Sequence, residues 1–283
     1  MPAMIPTIVR LELWRIYRKP RSWIVFTAIA VLVGIVHSVM ALQGEQLAEM
    51  VLQNIKQQLS IEGDYLHGYL VAFIIQGLLL VHLPFLVTLV AGDLIAGEAA
   101  YGTLRLLFLQ PVARWKFVLA KFFALVGYVG SVMLFLAVVS LGVGVALFDV
   151  GDLVVLKTNG VVVLGRDDIL WRFAGAYAFN WLGLLVPASL ALLLGCFADN
   201  ALAPVVGTMA IVIVMTAVSL LDVPLIESLA DGFFTTHAAA WRLFFDDPVP
   251  FDTIRNSAVV LVMHCVVFCF VTALVLQRKD IRS

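Results

Sequence analysis

Six long, almost uninterrupted apolar stretches punctuate the chain, at residues 23–42, 70–91, 117–148, 173–197, 201–221 and 256–276. Crossing about 30 Å of hydrocarbon takes about 20 predominantly apolar residues in a helix, and each stretch meets that length. The runs are continuous rather than alternating, which favours helices, whose backbone groups are satisfied internally, over the strands of a barrel. The pattern predicts an all-α integral membrane protein with six spans forming one domain over residues 1–283. The third stretch is long enough to tilt or to project from the bilayer. Trp23, Tyr69, Trp115 and Trp171 fall at span ends, where an amphipathic ring meets headgroups. Pro84 and Pro187 lie inside spans, either as hinges or as tolerated interruptions.

Composition removes the soluble alternative. Apolar residues make up 63% of the chain and charged residues 13%, against about 45–50% and about 25% in soluble domains. A net charge of −1 gives no field for nucleic acid. Residues 1–22 are too long and too charged for the head of a cleavable signal, so the first stretch reads as a retained helix. The lysines and arginines orient the bundle. With the N-terminus inside, twelve fall in cytoplasmic segments and six, namely Lys56, Lys157, Arg166, Arg172, Arg242 and Arg255, fall outside. Both termini are therefore expected in the cytoplasm, at the inner (plasma) membrane. Of the outer loops, residues 154–164 suit a short hairpin, and residues 222–251 suit a cap of short helices over the bundle.

Two cytoplasmic segments carry more than topology. Over residues 4–19, Val9, Leu13, Ile16 and Tyr17 share one helical side, and Glu12, Arg15, Arg18 and Lys19 the other. This describes an amphipathic helix lying in the interface before Pro20, or else a basic flank that only sets topology. Residues 92–116 read as a helix, a break at Gln110–Pro111, and a new helix entering the third span. Glu98 stands there in a small, apolar setting, where a carboxylate is costly unless it meets water, a cation or a partner's donors. Gly97 and Gly102 allow another surface to come close, and Arg114 and Lys116 hold the next helix at headgroup level.

The pattern Gly97-Glu98, Gly102-Thr103-Leu104, Pro111-Val112, Arg114 and Lys121 resembles the permease subunits of type-2 ATP-binding-cassette transporters. The N-terminal helix is similar to that family's elbow helix, and Gln277 to Asp280 to its basic tail. The resemblance implies that the 92–116 segment, through Gly97, Glu98, Gly102, Thr103, Pro111 and Arg114, docks on a separate cytoplasmic ATP-binding subunit. That subunit would bind ATP and Mg and hydrolyse the ATP, so this chain holds no cofactor and is not itself the enzyme. The resemblance further implies pairing with a second permease chain, a copy or a relative, among membrane lipids, and transport outward, as an exporter. Gly97 and Gly102 also have the glycine spacing of a phosphate loop, but Thr103 stands where that loop needs lysine, so the chain is not expected to bind nucleotide.

Other chemistries have thinner signals. Ser131 and His264 are the nearest pair for an intramembrane hydrolase, without a Gly-x-Ser-Gly context. Met263, His264, Cys265 and Cys269 offer soft ligands suited to Cu(I), or simply buried apolar packing; no metal site is assigned. His82 and His264 are candidates for a substrate route, whereas Gln76 and Asn180 suit interhelical hydrogen bonds.

Overall fold

A computed structural model of the chain describes residues 4–56, 66–103, 112–157, 160–221 and 230–279. Among these, six helical segments are long and apolar enough to cross a membrane. The chain begins with α1 (Met4–Arg18) and turns at Lys19 into α2 (Pro20–Lys56). The second span is α3 (Gly68–Gly92), which passes through a π-helical turn (Asp93–Gly97) into the short α4 (Glu98–Ala100). The third is α5 (Arg114–Ala137), with its own π turn (Val138–Gly142) leading into α6 (Val143–Phe148). Spans four to six are α7 (Ile169–Leu194), α8 (Leu202–Ser219) and α10 (Phe251–Arg278). Pro84 and Pro187 sit within continuous helix.

The largest departure from the expected spans is α2, which runs on to Lys56 rather than ending near residue 42. Its last turns mix polar with apolar residues, and nothing in residues 43–56 breaks a helix: the segment holds one glycine and no proline. The expected hairpin is present as β1 (Leu153–Lys157) paired antiparallel with β2 (Gly160–Leu164). The expected cap is present in α9 (Phe234–Ala238) and a 3-10 turn (Ala239–Phe245).

The helix α7 is the axis of the bundle. Two-thirds (67%) of its apolar window is buried, against 17% for α8, because α3, α5, α8 and α10 all pack against it. Phe173, Tyr128, Leu125, Ile75 and Leu79 are fully enclosed in the shared core. Leu134, Val206, Val266 and Phe270 instead stand outward, each more than three-fifths exposed. Apolar side chains on the outside of a packed bundle need a non-aqueous solvent, so this surface is a lipid face. Trp23 and Trp171 are on that surface, whereas Tyr69, expected as an anchor, is buried and packs its ring against Phe173.

The end of the bundle opposite α1 is tied by backbone proximity. A Cβ on Gly68 would lie 2.4 Å from the Val145 backbone nitrogen, so α3 and α6 cross where only glycine fits. His67 caps α3: its Nδ1 accepts from the Leu70 N–H at 3.3 Å, and its Nε2 lies 2.9 Å from the Asp152 carbonyl as donor. Arg172, buried at the start of α7, donates to the Phe244 and Asp246 carbonyls at 3.0 and 2.6 Å and to Asp168 at 2.7 Å. The cap is thereby fastened to the axial helix.

Candidate coupling site

The site is built at the end of the bundle that carries α1. Glu12, Leu13 and Ile16 share one face of this helix, and that face packs against α5. Glu12 is 2% exposed, which corrects the expectation that it belongs to the solvated side with Arg15 and Arg18. Its spacing from Val9, Leu13 and Ile16 on the apolar face was the available signal. Leu11 and Trp14, about half exposed, occupy the outward side instead.

A carboxylate so enclosed requires a cation. Lys121 of α5, itself 3% exposed, supplies it: its Nζ donates to Glu12 Oε2 at 3.0 Å and to Glu98 Oε1 at 2.8 Å. Arg15 completes the group, with Nη1 at 3.0 Å from Glu12 and 3.7 Å from Glu98. Two carboxylates and two cations balance in charge. Glu98 Oε2 is buried without a hydrogen-bond partner among the described residues.

A second cluster lies one turn earlier on the same span. Asp93, 6% exposed, accepts from Lys19 Nζ at 2.7 Å and from Arg21 Nη1 at 2.6 Å. The π turn widens the helix here, and Gly97 leaves room for the carboxylate: a Cβ at that position would stand 2.3 Å from Asp93 Oδ1. Gly97 thus admits a side chain of its own helix. Gly102 serves another purpose, because its φ of +69° ends α4 in the left-handed region that glycine adopts without strain. The Thr103 hydroxyl donates to the Glu98 carbonyl at 3.1 Å and closes the same turn. Pro111 lies outside the described residues.

Arg114, at the first position of α5, donates from Nη1 to the carbonyls of Leu276 and Lys279, both at 3.0 Å. A guanidinium at the end of α10 meets carbonyls that have no intrahelical partner and the negative end of the helix dipole. Lys279 in turn donates to the Cys196 carbonyl at 2.7 Å. The bases of α1, α3, α5 and α10 and the α7–α8 connection are therefore linked by ionic and charge-assisted contacts at one end of the molecule. An open cleft of ≈ 330 Å³ runs between α1 and the Leu94–Thr103 stretch, with Arg15, Arg18 and Tyr101 on its walls.

The remaining sequence candidates are dispersed. His82 is exposed on α3, with Nδ1 3.0 Å from the Leu78 carbonyl. His264 is half-buried on α10 between Phe234 and Phe268. Ser131 receives a hydrogen bond from Tyr17 at 2.5 Å and donates to the Tyr128 carbonyl at 2.6 Å. Met263 is 54% exposed while Cys265 and Cys269 are buried, so the soft ligands diverge. Gln76 and Asn180 are buried without hydrogen-bond partners among the described residues, in place of the interhelical bonds expected of them. One Ser–His contact escaped sequence reasoning: His237 Nδ1 lies 3.1 Å from Ser257 Oγ, and its Nε2 lies 2.8 Å from the Asp231 carbonyl. A separation of twenty positions, across the cap and into α10, hides that pair from any local pattern.

Residues 29–282 match the model of a family described as a protein of unknown function (DUF2705). No curated protein matches the chain. The matched range includes Asp93, Glu98, Arg114 and Lys121, and begins after their partners Glu12 and Arg15 of α1 and Lys19 at its end.

Proposed function

We propose that this chain, which belongs to the DUF2705 family of proteins of unknown function, is the membrane-spanning permease subunit of an ATP-driven exporter of the ATP-binding-cassette type. In this reading a separate cytoplasmic subunit binds ATP with Mg and hydrolyses it, and a second permease chain completes the transport unit. The α1 end of the bundle then faces the cytoplasm, with both termini there, at the inner membrane.

The observation that carries the reading is the connection of Glu98. It sits on the short helix that closes the second span, yet it is bonded to Lys121 at the base of the third and stands beside Arg15 of α1. A push on the Gly97–Thr103 stretch would therefore reach three membrane segments through one charge cluster. Arg114 extends the linkage to α10. The cleft beside Arg15, Arg18 and Tyr101 is open and mixed in character, as a docking groove for a partner's loop needs to be. Closure of two ATP-binding subunits would drive the two bundles between states that differ at this end, and release a substrate on the other side.

The test is to isolate the chain from its native membrane in mild detergent and identify what accompanies it, then to reconstitute the complex in proteoliposomes. Co-purification of an ATP-binding-cassette subunit is expected. Glu98→Ala and Arg114→Ala are expected to leave ATP hydrolysis running while transport falls. Absence of such a subunit, or unchanged coupling in both variants, would remove the proposal.

A further inference from the structure

A cavity of ≈ 630 Å³ opens at the opposite end of the bundle, between α3, α7 and α8 and beneath the cap of α9 and the Ala239–Phe245 turn. Gly77 and Gly183 line it and keep its wall low beneath the cap: a Cβ on Gly77 would first meet Trp241 at 4.0 Å, and one on Gly183 would first meet Ala238 at 3.6 Å. The size falls within the range of small-molecule sites, about 300–1,000 Å³.

Its walls are apolar apart from a few groups with unmet needs. Asn180, 1% exposed, borders the cavity with neither amide atom hydrogen-bonded among the described residues. Thr235, in the roof, has a buried Oγ1 in the same condition. Leaving such groups unpaired away from water is costly, and a ligand bearing acceptors relieves it. At the rim, Arg242 is exposed, contacts the face of Trp241 at 5.6 Å, and makes no ion pair among the described residues. The cavity is continuous with the lipid face, since Ile213 both lines it and stands 62% exposed on α8.

We infer that this groove holds one anionic phospholipid, taken sideways from the bilayer. Its acyl chain would lie along α3, α7 and α8, its ester carbonyls would accept from the Asn180 amide and the Thr235 hydroxyl, and its phosphate would meet Arg242. A long apolar body, a neck of acceptors and one negative charge match, in order, what the groove presents from its depth to its rim. Lateral entry selects a bilayer component over a soluble anion, which has no apolar body to bury. The inference goes beyond the proposed transport role and holds whatever powers the chain.

The test uses the purified full-length chain in neutral detergent, titrated with phosphatidylglycerol or with phosphatidylcholine and read by native mass spectrometry. Wild type is expected to retain one phosphatidylglycerol with about tenfold preference over phosphatidylcholine, which carries the same phosphate but sets its choline cation beside Arg242 and so offsets that charge-assisted contact. Arg242→Gln should abolish the preference. Ala217→Trp, which fills the groove from α8, should abolish retention of both lipids, while Val214→Trp, outside the groove on the same helix, should leave it intact. Each variant's fold is checked by its elution and helical content. Equal lipid retention by wild type and a folded Ala217→Trp, or an unchanged preference in Arg242→Gln, whose exposed side chain makes misfolding a minor concern, would overturn the inference. Neither result depends on an ATP-binding partner.

Discussion

Lys121 and Glu98 approach to 2.8 Å across the junction between the second and third spans, and the same ammonium serves Glu12 of α1. Removing the ammonium would leave two enclosed carboxylates with only Arg15 between them. Stripping one partner from a buried ion pair costs about 3–5 kcal/mol. Lys121→Ala is therefore expected to lower the unfolding temperature in detergent sharply. Lys121→Met combined with Glu12→Gln and Glu98→Gln, which removes the enclosed charges together and leaves the half-exposed Arg15 to water, should recover most of that loss. A single and a triple variant of equal stability would show that the cluster is not held by its charges.

At Gly97 the expected fault is steric. The added methyl of Gly97→Ala would displace the Asp93 carboxylate and loosen its bonds to Lys19 and Arg21. A cost of about 1–3 kcal/mol is expected. Asp93→Asn should lose much of the same contact, so the double variant should fall short of the sum of the two. Thermal unfolding of the three proteins measures this directly.

The crossing at Gly68 makes a harsher prediction. A Cβ there meets backbone atoms of Gly144 and Val145 at about the same place, 2.4 to 2.5 Å away, and backbone has no rotamer to yield. Gly68→Ala is expected to cost about 3 kcal/mol. Gly34, with nothing within 4 Å of its would-be Cβ, is the control. Gly34→Ala should be neutral or stabilising by up to about 1 kcal/mol, as alanine is the better helix former.

A pH effect is expected at the end of α7 away from α1. Hydrogen bonds from Trp171 and then from Arg172 hold the Asp168 carboxyl below its ordinary value of 3.8. A depressed folded-state value means that this contribution is present above pH 3.8 and is lost as the pH falls through the lower value in the folded protein. The unfolding temperature of wild type should drop more steeply than that of Asp168→Asn in that acid window. Identical slopes would assign the acid sensitivity elsewhere.

The span pattern was legible because lipid demands long apolar runs, and run length is a local property. The hairpin and the cap were legible for a similar reason, as valines and turn-forming residues cluster within a few positions. Glu12 was misplaced because the helical pattern reports which residues share a face, while the partner that makes burial tolerable, Lys121, lies far along the chain. The same holds for Asp93 with Lys19 and Arg21. Gly102 was readable as a glycine position, and its φ adds a backbone reason that no sequence pattern states. Gln76 and Asn180 could be recognised as polar residues inside spans, yet no sequence pattern states whether a neighbour will answer them.

The first span continues as one helix from Gly44 to Lys56. At about 1.5 Å per residue, that extension reaches about 18 Å past the apolar stretch. It acts as a mast on the side away from α1. An epitope or fluorophore carried near Lys56 would stand clear of the headgroups, and its distance from the bilayer would report any change in the lean of the first span.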